Sequence, residues 1–345
     1  MHTRAASWLR HRLGRAAVLS YALALLLPGP GLWLRRPHPL PPTNLALHTA
    51  PLLLSLVLFS AGLQVPFRAL GPLLRRPTGL LAGLVLHLAI PLAVVPFIAF
   101  LLRRTPDTDG GSGLLTAMIL VVAMPVAAGA TVWTDKGDGD QPTMVGLVLA
   151  STLLSPLTTP LLLATLSPLL SGGYAQTLTA IARLAEGGAA LTPVVLPCAA
   201  GLLGALVLPS RWLSRLVTAV APSAMAGSLV LTYVNASGAL GSVLTRPRPQ
   251  LFAAALAVAA LVCLLSFALG RAAARILRLE AGTASSLTLA CGMNNSSASA
   301  VLITASLPDK PHLLLPVLAY GLLQKTAANR IVTRLRPAPS PTAGA

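Results

Sequence analysis

The most constraining feature of this sequence is a series of ten long apolar runs. A membrane-spanning helix needs about 20 mostly apolar residues, and ten segments come close to that length: 16–34, 49–66, 78–102, 112–133, 143–168, 190–208, 214–235, 250–272, 284–306 and 312–335. Hydrophobic residues occupy 55% of the 345 positions, and only 10% are charged. The runs lack the alternation of barrel strands. The sequence therefore predicts an all-α polytopic membrane protein with ten transmembrane helices.

The basic residues are distributed in a way that indicates membrane topology. A formal net charge of +17 is also found in nucleic-acid-binding proteins, but here the charges form short clusters between apolar runs. With both termini placed inside the cell, 17 of the 25 Lys and Arg residues fall on the cytoplasmic side, as the positive-inside rule requires. We therefore expect a multi-pass protein of the plasma membrane, with both termini cytoplasmic, surrounded by lipid bilayer and without a nucleic-acid partner.

The ten runs divide into two halves. We expect a basic cytoplasmic N-terminus over 1–15, a first five-helix repeat over 16–168, a connector over 169–189, a second five-helix repeat over 190–335 and a disordered tail over 336–345. An odd number of helices in each half gives the second half inverted topology. A signal peptide is the alternative for the first run, but no small-x-small cleavage site follows Leu27, so we expect that helix to be retained.

Two polar, glycine-containing interruptions lie at matching places, in the fourth helix of each half. One covers residues 124–134 and the other covers 288–297, where Asn294 and Asn295 are adjacent. Broken helices in transporters free backbone groups that bind ions and anionic ligands near the membrane midplane. The alternative is a kink at which Asn and Ser bond neighbouring helices. Because the interruptions are paired, we favour a binding site.

Polar residues in and beside these interruptions form the candidate substrate site: Thr131, Thr134, Asn294, Asn295, Ser296, Gln324 and Lys325. Lys325 lies thirteen residues into the last run, which is roughly 20 Å along a helix. It either supplies a positive charge for an anion or extends to the cytoplasmic interface. His87, near the middle of the third run, either couples proton movement or is a packing residue. Cys198, Cys263 and Cys291 are expected to be apolar packing residues.

Several motifs resemble the bile acid:sodium symporter family. They are Met124-Pro125, Gly129-Ala130-Thr131, Gly139-Asp140, the run from Ser151 to Pro160, Gly292-Met293-Asn294-Asn295-Ser296, Tyr320-Gly321-Leu322-Leu323-Gln324 and Arg75-Arg76-Pro77. The resemblance implies a core domain of spans 3–5 and 8–10, whose broken fourth and ninth helices cross, and a panel domain of spans 1, 2, 6 and 7. It also implies transport of organic anions, such as bile acids and small carboxylates, usually with sodium and by alternating access.

The sodium ligands that this resemblance implies are largely replaced. The family's Ser-Asn pair corresponds to Ala130-Thr131, its two fifth-helix hydroxyls to Met144 and Val148, its ninth-helix Glu to Ala290 and its third-helix Gln to His87. Backbone groups of Cys291, Met293 and Asn294 could still contribute to ion coupling. All eight acidic residues are expected in loops. We therefore expect no metal site and no cofactor; sodium stays open, but not in the usual two-ion mechanism.

The sequence favours a secondary transporter of a small organic anion, coupled to protons or uncoupled. The alternative from another class is a transporter-like receptor or regulatory protein that binds a ligand without moving it. The arsenite-efflux fold is a further transporter alternative, although it usually has Cys where Met124 stands. We expect no enzyme, because the embedded His87 lacks an acidic partner and neither Gly-x-Ser-x-Gly nor His-Glu-x-x-His occurs.

Overall fold

The computed structural model describes residues 15–39, 46–65, 77–103, 112–186, 192–245 and 249–335, and these ranges are mainly helical. The helices in chain order are α1 Arg15–Leu26, α2 Pro28–Arg35, α3 Thr49–Leu63, α4 Thr78–Leu102, α5 Ser112–Val122, α6 Ala130–Lys136, α7 Gln141–Leu166, α8 Gly173–Glu186, α9 Thr192–Val207, α10 Ser210–Thr245, α11 Pro249–Ile276, α12 Ala281–Gly292, α13 Ser296–Ser306 and α14 Leu314–Leu335.

Short elements complete this part of the chain. Two 3-10 turns cover Ser167–Leu169 and Pro311–Leu313, and the two-residue strands His38–Pro39 and Ala46–Leu47 pair antiparallel. The predicted disordered tail and nearly all of the predicted basic N-terminus lie outside the described residues.

Each of the ten predicted apolar runs coincides with one helix or with a pair of helices. By length and hydropathy, four described stretches are suited to cross a membrane: Thr78–Leu102, Gln141–Leu169, Ser210–Leu240 and Pro249–Ile276. The pair α1 and α2 would be a fifth, but it bends by 93°. The predicted first run is therefore divided into two helices. Leu27, which separates the pair, precedes Pro28 and is not helical, because proline disfavours the helical conformation in the residue before it.

The predicted connector over 169–189 is mainly a helix. After the 3-10 turn, Gly172 adopts a φ of +60°, a left-handed conformation that costs glycine little, and the chain then enters α8. Helix α8 packs back against α7 and buries Leu178, Ile181 and Ala182. Residues of the predicted connector therefore form an amphipathic helix.

The helices form two groups that we call the panel group (α2, α3, α9 and α10) and the core group (α4–α7 and α11–α14). In the panel group, α3 packs against α9 and α10, and α2 packs against α10. Helices α3 and α9 approach so closely that a Cβ at Gly62 would clash with the Cys198 carbonyl, and one at Gly201 with the Phe59 carbonyl. Such small-residue contacts are common between membrane helices.

The core group surrounds α5, in which every residue is buried. Helix α4 packs against α7, α11 and α12, while α14 packs against α11, α13 and α5. The outer faces are apolar, with large exposed side chains such as Val85, Phe100, Leu157 and Leu203. Apolar surface of this extent suits contact with lipid.

Candidate functional site

The two helix breaks lie against each other inside the core group. The first break covers residues 123–129, between α5 and α6, and the second covers 293–295, between α12 and α13. Val126 and Asn294 pair in an antiparallel bridge. The Ala127 N–H donates to the Met293 carbonyl at 2.8 Å, and the Asn295 N–H donates to the Pro125 carbonyl at 2.9 Å. Each break therefore satisfies backbone groups that the other leaves unpaired.

Hydroxyl groups of neighbouring helices satisfy further backbone groups at the first break. The Val126 N–H donates to Ser151 Oγ at 3.1 Å, and the Thr159 hydroxyl donates to the Ala123 carbonyl at 2.8 Å. Ser299 of α13 donates to the Leu120 carbonyl at 3.0 Å. Sequence reasoning noted Ser151 and Thr159 only within a family motif. The sequence signal that could have indicated their role is a hydroxyl residue within an apolar helix. Both hydroxyls are buried, and buried hydroxyls usually have a hydrogen-bond partner.

A tyrosine of α14 holds the second break. Asn294 Nδ2 donates to the Tyr320 hydroxyl at 3.0 Å, and that hydroxyl donates to the Gly292 carbonyl at 3.0 Å. Tyr320 is completely buried. Sequence reasoning noted this residue only within a family motif, although a tyrosine inside an apolar run usually has a hydrogen-bond partner for its hydroxyl. Tyr320 fixes the end of α12 relative to α14.

Asn295 ends the second break and caps α13. Its Oδ1 accepts a hydrogen bond from the Ala298 N–H at 3.1 Å, which is the geometry of an N-cap. The first turn of α13 therefore starts at this break. The N-terminus of a helix carries the positive end of its dipole, so α13 presents partial positive charge at this point.

A cavity of about 120 Å³ lies between the breaks and the helices α1, α3, α10 and α14. Its lining residues are Ala17, Leu54, Val57, Ala127, Ala128, Gly129, Trp133, Ser228, Leu229, Leu231, Thr232, Met293, Asn294, Asn295, Ser296, Ser297, Gln324 and Lys325. Among them Lys325 is the one charged residue, as far as the described ranges extend. The cavity thus joins the panel group to the site of the breaks.

The structure brings most of the predicted substrate residues together at this cavity: Asn294, Asn295, Ser296, Gln324 and Lys325. It does not bring Thr131 and Thr134 there. The Thr131 hydroxyl donates to the Ala128 carbonyl at 2.8 Å, and the Thr134 hydroxyl donates to the Ala130 carbonyl at 3.1 Å. Both hydroxyls therefore serve the short helix α6 itself.

The predicted ion-coupling residues are divided between two places. Met293 and Asn294 line the cavity, but His87 and Cys291 do not. His87 is buried in α4, with 7% of its surface exposed. Cys291 packs against α11. A Cβ added to Gly270 of that helix would lie 2.6 Å from the Cβ of Cys291. All three cysteines are free and buried.

Two cavity residues have polar groups without a protein partner in the described ranges. Lys325 is half-buried, and none of the described carboxylates forms an ion pair with its ammonium group. Gln324 is 2% exposed; its Nε2 donates weakly to Ser296 Oγ at 3.4 Å, and its Oε1 has no hydrogen-bond partner. Within the described ranges, the cavity therefore contains a cation without a carboxylate partner and an acceptor without a hydrogen-bond partner.

The described acidic residues lie away from the cavity. Asp138 and Asp309 lie in loops and Glu280 precedes α12, but Asp135 lies within α6, so the expectation of loops alone was wrong there. Glu186 likewise ends α8, whereas Asp107 and Asp109 lie outside the described residues. No group of three His, Cys, Asp or Glu residues suited to a metal ion occurs in the described part of the chain.

Asp140, from the family motif, has a structural position. It caps α7, and its carboxylate accepts hydrogen bonds from the hydroxyls of Thr143 and Thr283, the latter at 3.1 Å. The Ser286 hydroxyl donates to its carbonyl at 2.9 Å. Asp140 therefore ties the loop after α6 to the start of α12 and does not reach the cavity.

Two hydrogen bonds connect the N-terminal helices to the core group beyond the cavity. The Tyr21 hydroxyl of α1 donates to the Leu318 carbonyl of α14 at 3.2 Å. The Arg35 guanidinium of α2 donates to the Thr304 hydroxyl of α13 at 3.2 Å. Thr304 is eight residues beyond Ser296, about 12 Å along the helix. Tyr21 and Arg35 both follow Ala17, the cavity residue of α1, in the chain. The two contacts therefore lie further along the N-terminal helices than the cavity does.

The sequence was compared with known protein families. A model described as the Sodium Bile acid symporter family matches residues 51–246, which is more than half of the chain. The matched segment contains the first break and ends before the second. No curated protein is similar enough to be counted as a relative.

Proposed function

This chain belongs to the Sodium Bile acid symporter family, and we propose that it carries a small organic anion across the membrane by alternating access. It is a multi-pass membrane protein of a transporter family. The observation that carries the proposal is the cavity at the paired helix breaks, in which Lys325 is the one charged lining residue of the described chain. We place the protein in the plasma membrane with both termini cytoplasmic.

We further propose that ten spans form two inverted repeats, over 16–168 and 190–335, with 169–189 as the connector. Two features support this. Each predicted run coincides with a helix or a helix pair, and the broken pairs α5–α6 and α12–α13 occupy the same place in each half. The contacts within the panel group and within the core group agree with a panel domain that supports a substrate-binding core.

The cavity favours a small carboxylate as substrate. Its volume of about 120 Å³ is similar to that of engineered cavities that bind a benzene-sized molecule. The ammonium of Lys325 and the N-terminus of α13 both favour negative charge. Asn295, Ser296 and Gln324 supply polar groups for hydrogen bonds with a carboxylate. A steroid-sized anion would require the cavity to widen.

We propose that transport does not require two sodium ions. Sodium prefers oxygen ligands, but the residues at four of the family's ligand positions, Ala130, Met144, Val148 and Ala290, are buried and have no side-chain oxygen. The Met293 carbonyl is one of the backbone groups that could still bind an ion, but it already accepts a hydrogen bond from the Ala127 N–H. His87 remains the candidate for proton coupling, acting from within the core group.

Alternating access is supported by contacts between the N-terminal helices α1 and α2 and the core group. In this proposal, the bonds from Tyr21 to Leu318 and from Arg35 to Thr304 hold α1 and α2 against α14 and α13 on one side of the cavity. For the substrate to leave on that side, α1 and α2 must separate from α13 and α14. The Tyr21 contact is a neutral hydrogen bond with a net contribution of about 0.5–1.5 kcal/mol, and the Arg35 contact, whose donor is charged, contributes about 1.5–3 kcal/mol. Both are weak enough to open and close during a transport cycle.

Counterflow in proteoliposomes tests this proposal. A thermal-shift panel of acetate, pyruvate, lactate, succinate and taurocholate, with and without sodium, first identifies the carboxylate that stabilises the protein most. Vesicles loaded with that carboxylate should then accumulate its labelled form from outside, in sodium-free buffer as in sodium. Binding without any counterflow would support the receptor alternative. A sodium dependence with a Hill slope near two would contradict the proposed coupling.

A further inference from the structure

The charge of the cavity has a consequence for the return step of the transport cycle. Lys325 is covalently fixed to α14, so its positive charge stays in the cavity after a substrate anion leaves. None of the described carboxylates lines the cavity or pairs with this ammonium. The family position for a ninth-helix carboxylate is occupied by Ala290, which is buried and apolar. As far as the described residues extend, the empty cavity therefore holds one cation without a compensating carboxylate.

A cation of this kind opposes the conformational change of the empty protein. When the cavity is open, water hydrates the ammonium, but the intermediate between the two open states encloses it. An unpaired Lys near the membrane centre is unfavourable enough to shift an equilibrium on the order of a hundredfold. When a carboxylate occupies the cavity, the ammonium and the anion form a neutral pair, and the enclosed state is disfavoured much less.

A mobile cation would not oppose the conformational change of the empty protein. An ion that binds with the substrate leaves with it, so that the empty cavity returns without an extra charge. A fixed lysine performs the same neutralisation during the loaded step but cannot leave. Replacing a dissociable cation by a fixed one therefore slows the empty return step in particular.

We propose that this protein is an anion exchanger, in which one carboxylate moves outward for each carboxylate that moves inward. The inference rests on the proposed function, because it concerns the same cavity and the same cation. A carboxylate monoanion neutralises Lys325 in both directions, and exchange of two such monoanions moves no net charge. Exchange should therefore be fast and insensitive to membrane potential, whereas net uptake should be slow.

The test compares exchange with net uptake in the same proteoliposome preparation. Both measurements use the labelled carboxylate that gives the largest thermal shift in the panel above. One set of vesicles contains the unlabelled carboxylate, and the other contains only a bulky sulfonate buffer. Initial uptake should be at least about tenfold faster into the carboxylate-loaded vesicles, in line with the cost of enclosing an unpaired lysine. Equal rates would overturn the inference.

Substitution of Lys325 separates this inference from the proposed function. Lys325→Gln removes the fixed charge, so the ratio of exchange to net uptake should fall toward one, even though the substrate binds more weakly. Lys310→Gln is the matched control, because Lys310 stacks on the Tyr174 ring at 3.5 Å and does not line the cavity; it should keep the parental ratio. An unchanged ratio in Lys325→Gln would also overturn the inference.

Measurements on the parent protein alone distinguish a failure of the proposed transport function from a failure of the exchange mechanism. If the parent shows neither exchange nor net uptake of a carboxylate that it binds, the proposed transport function fails. If it shows both at equal rates, transport stands and only the exchange mechanism is overturned.

Discussion

The first break and the second break make similar backbone contacts but supply different chemistry. The first break contributes Ala127, Ala128 and Gly129 to the cavity, none of which has a polar side chain. The second break contributes Asn294 and Asn295, followed by the first serines of α13. The comparison teaches that paired breaks need not be symmetrical, because only the second of these two places polar side chains at the cavity.

The neighbouring helices strengthen this difference. At the first break, Ser151 and Thr159 of α7 bond to backbone groups. At the second break, Tyr320 of α14 bonds to both the side chain of Asn294 and the Gly292 carbonyl. Gln324 and Lys325 follow Tyr320 by about one turn of α14. The helix that supports the second break therefore also supplies the cation of the cavity.

Replacement of Asn295 should have the largest effect. Asn295→Ala removes a cavity side chain and the N-cap of α13, which contributes about 1 kcal/mol to stability. We expect the protein to remain folded in a thermal melt and to lose uptake of the carboxylate in proteoliposomes. Asn295→Ser, which keeps a capping oxygen, is the control for stability. Full uptake by Asn295→Ala would show that the second break does not form the site.

Lys325→Gln should have the next largest effect on the substrate. A lost charge-assisted contact is expected to weaken binding by about 1.5–3 kcal/mol, which isothermal titration with the carboxylate can measure. Lys325→Arg should retain part of the affinity because it keeps the charge. If Lys325→Gln bound the carboxylate as the parent does, the side chain would be an interfacial anchor and not a part of the site.

The supports of the two breaks should matter for stability. Ser151→Ala leaves the buried Val126 N–H without its partner, and Tyr320→Phe does the same for the Gly292 carbonyl, so each should lower the free energy of unfolding by about 1–3 kcal/mol. Thr165→Val is the control, because that exposed hydroxyl bonds only to the Leu161 carbonyl of its own helix. Thermal melts that do not distinguish Ser151→Ala from this control would contradict the role of α7.

The smallest effect is expected for two predicted site residues of the first half. Thr131→Val and Thr134→Val remove hydroxyls that bond within α6 and do not line the cavity. The binding free energy of the carboxylate should change by less than about 0.5 kcal/mol, the usual limit for substitutions away from a site. A loss of affinity as large as that of Lys325→Gln would show that both breaks contribute side chains to the site.

The sequence located most of the helices and both breaks. The predicted run 78–102 coincides with α4, because long apolar runs have few alternatives to a helix in a membrane. The bend at Leu27 was missed, since Pro28 was considered only in relation to a cleavage site. The helical connector was missed because its apolar residues form one face of α8 and not a continuous run.

The candidate site was predicted in part for a similar reason. Asn294, Asn295, Gln324 and Lys325, which line the cavity, were predicted because polar groups in an apolar run are costly without a partner. Thr131 and Thr134 were included because they lie in the first break, but sequence position does not tell where a side chain of a short helix points. Tyr320 and Ser151 were not assigned, since their partners are backbone groups distant in the chain.

The most direct test of the central claim is a sodium titration of substrate affinity. The claim is that the fixed charge of Lys325 at the second break takes the place of bound sodium. The affinity of the parent protein for the carboxylate should be the same in choline buffer and in sodium buffer of equal ionic strength. An affinity that increases with the square of the sodium concentration would contradict the claim, because it would require two sodium ions to bind with the substrate.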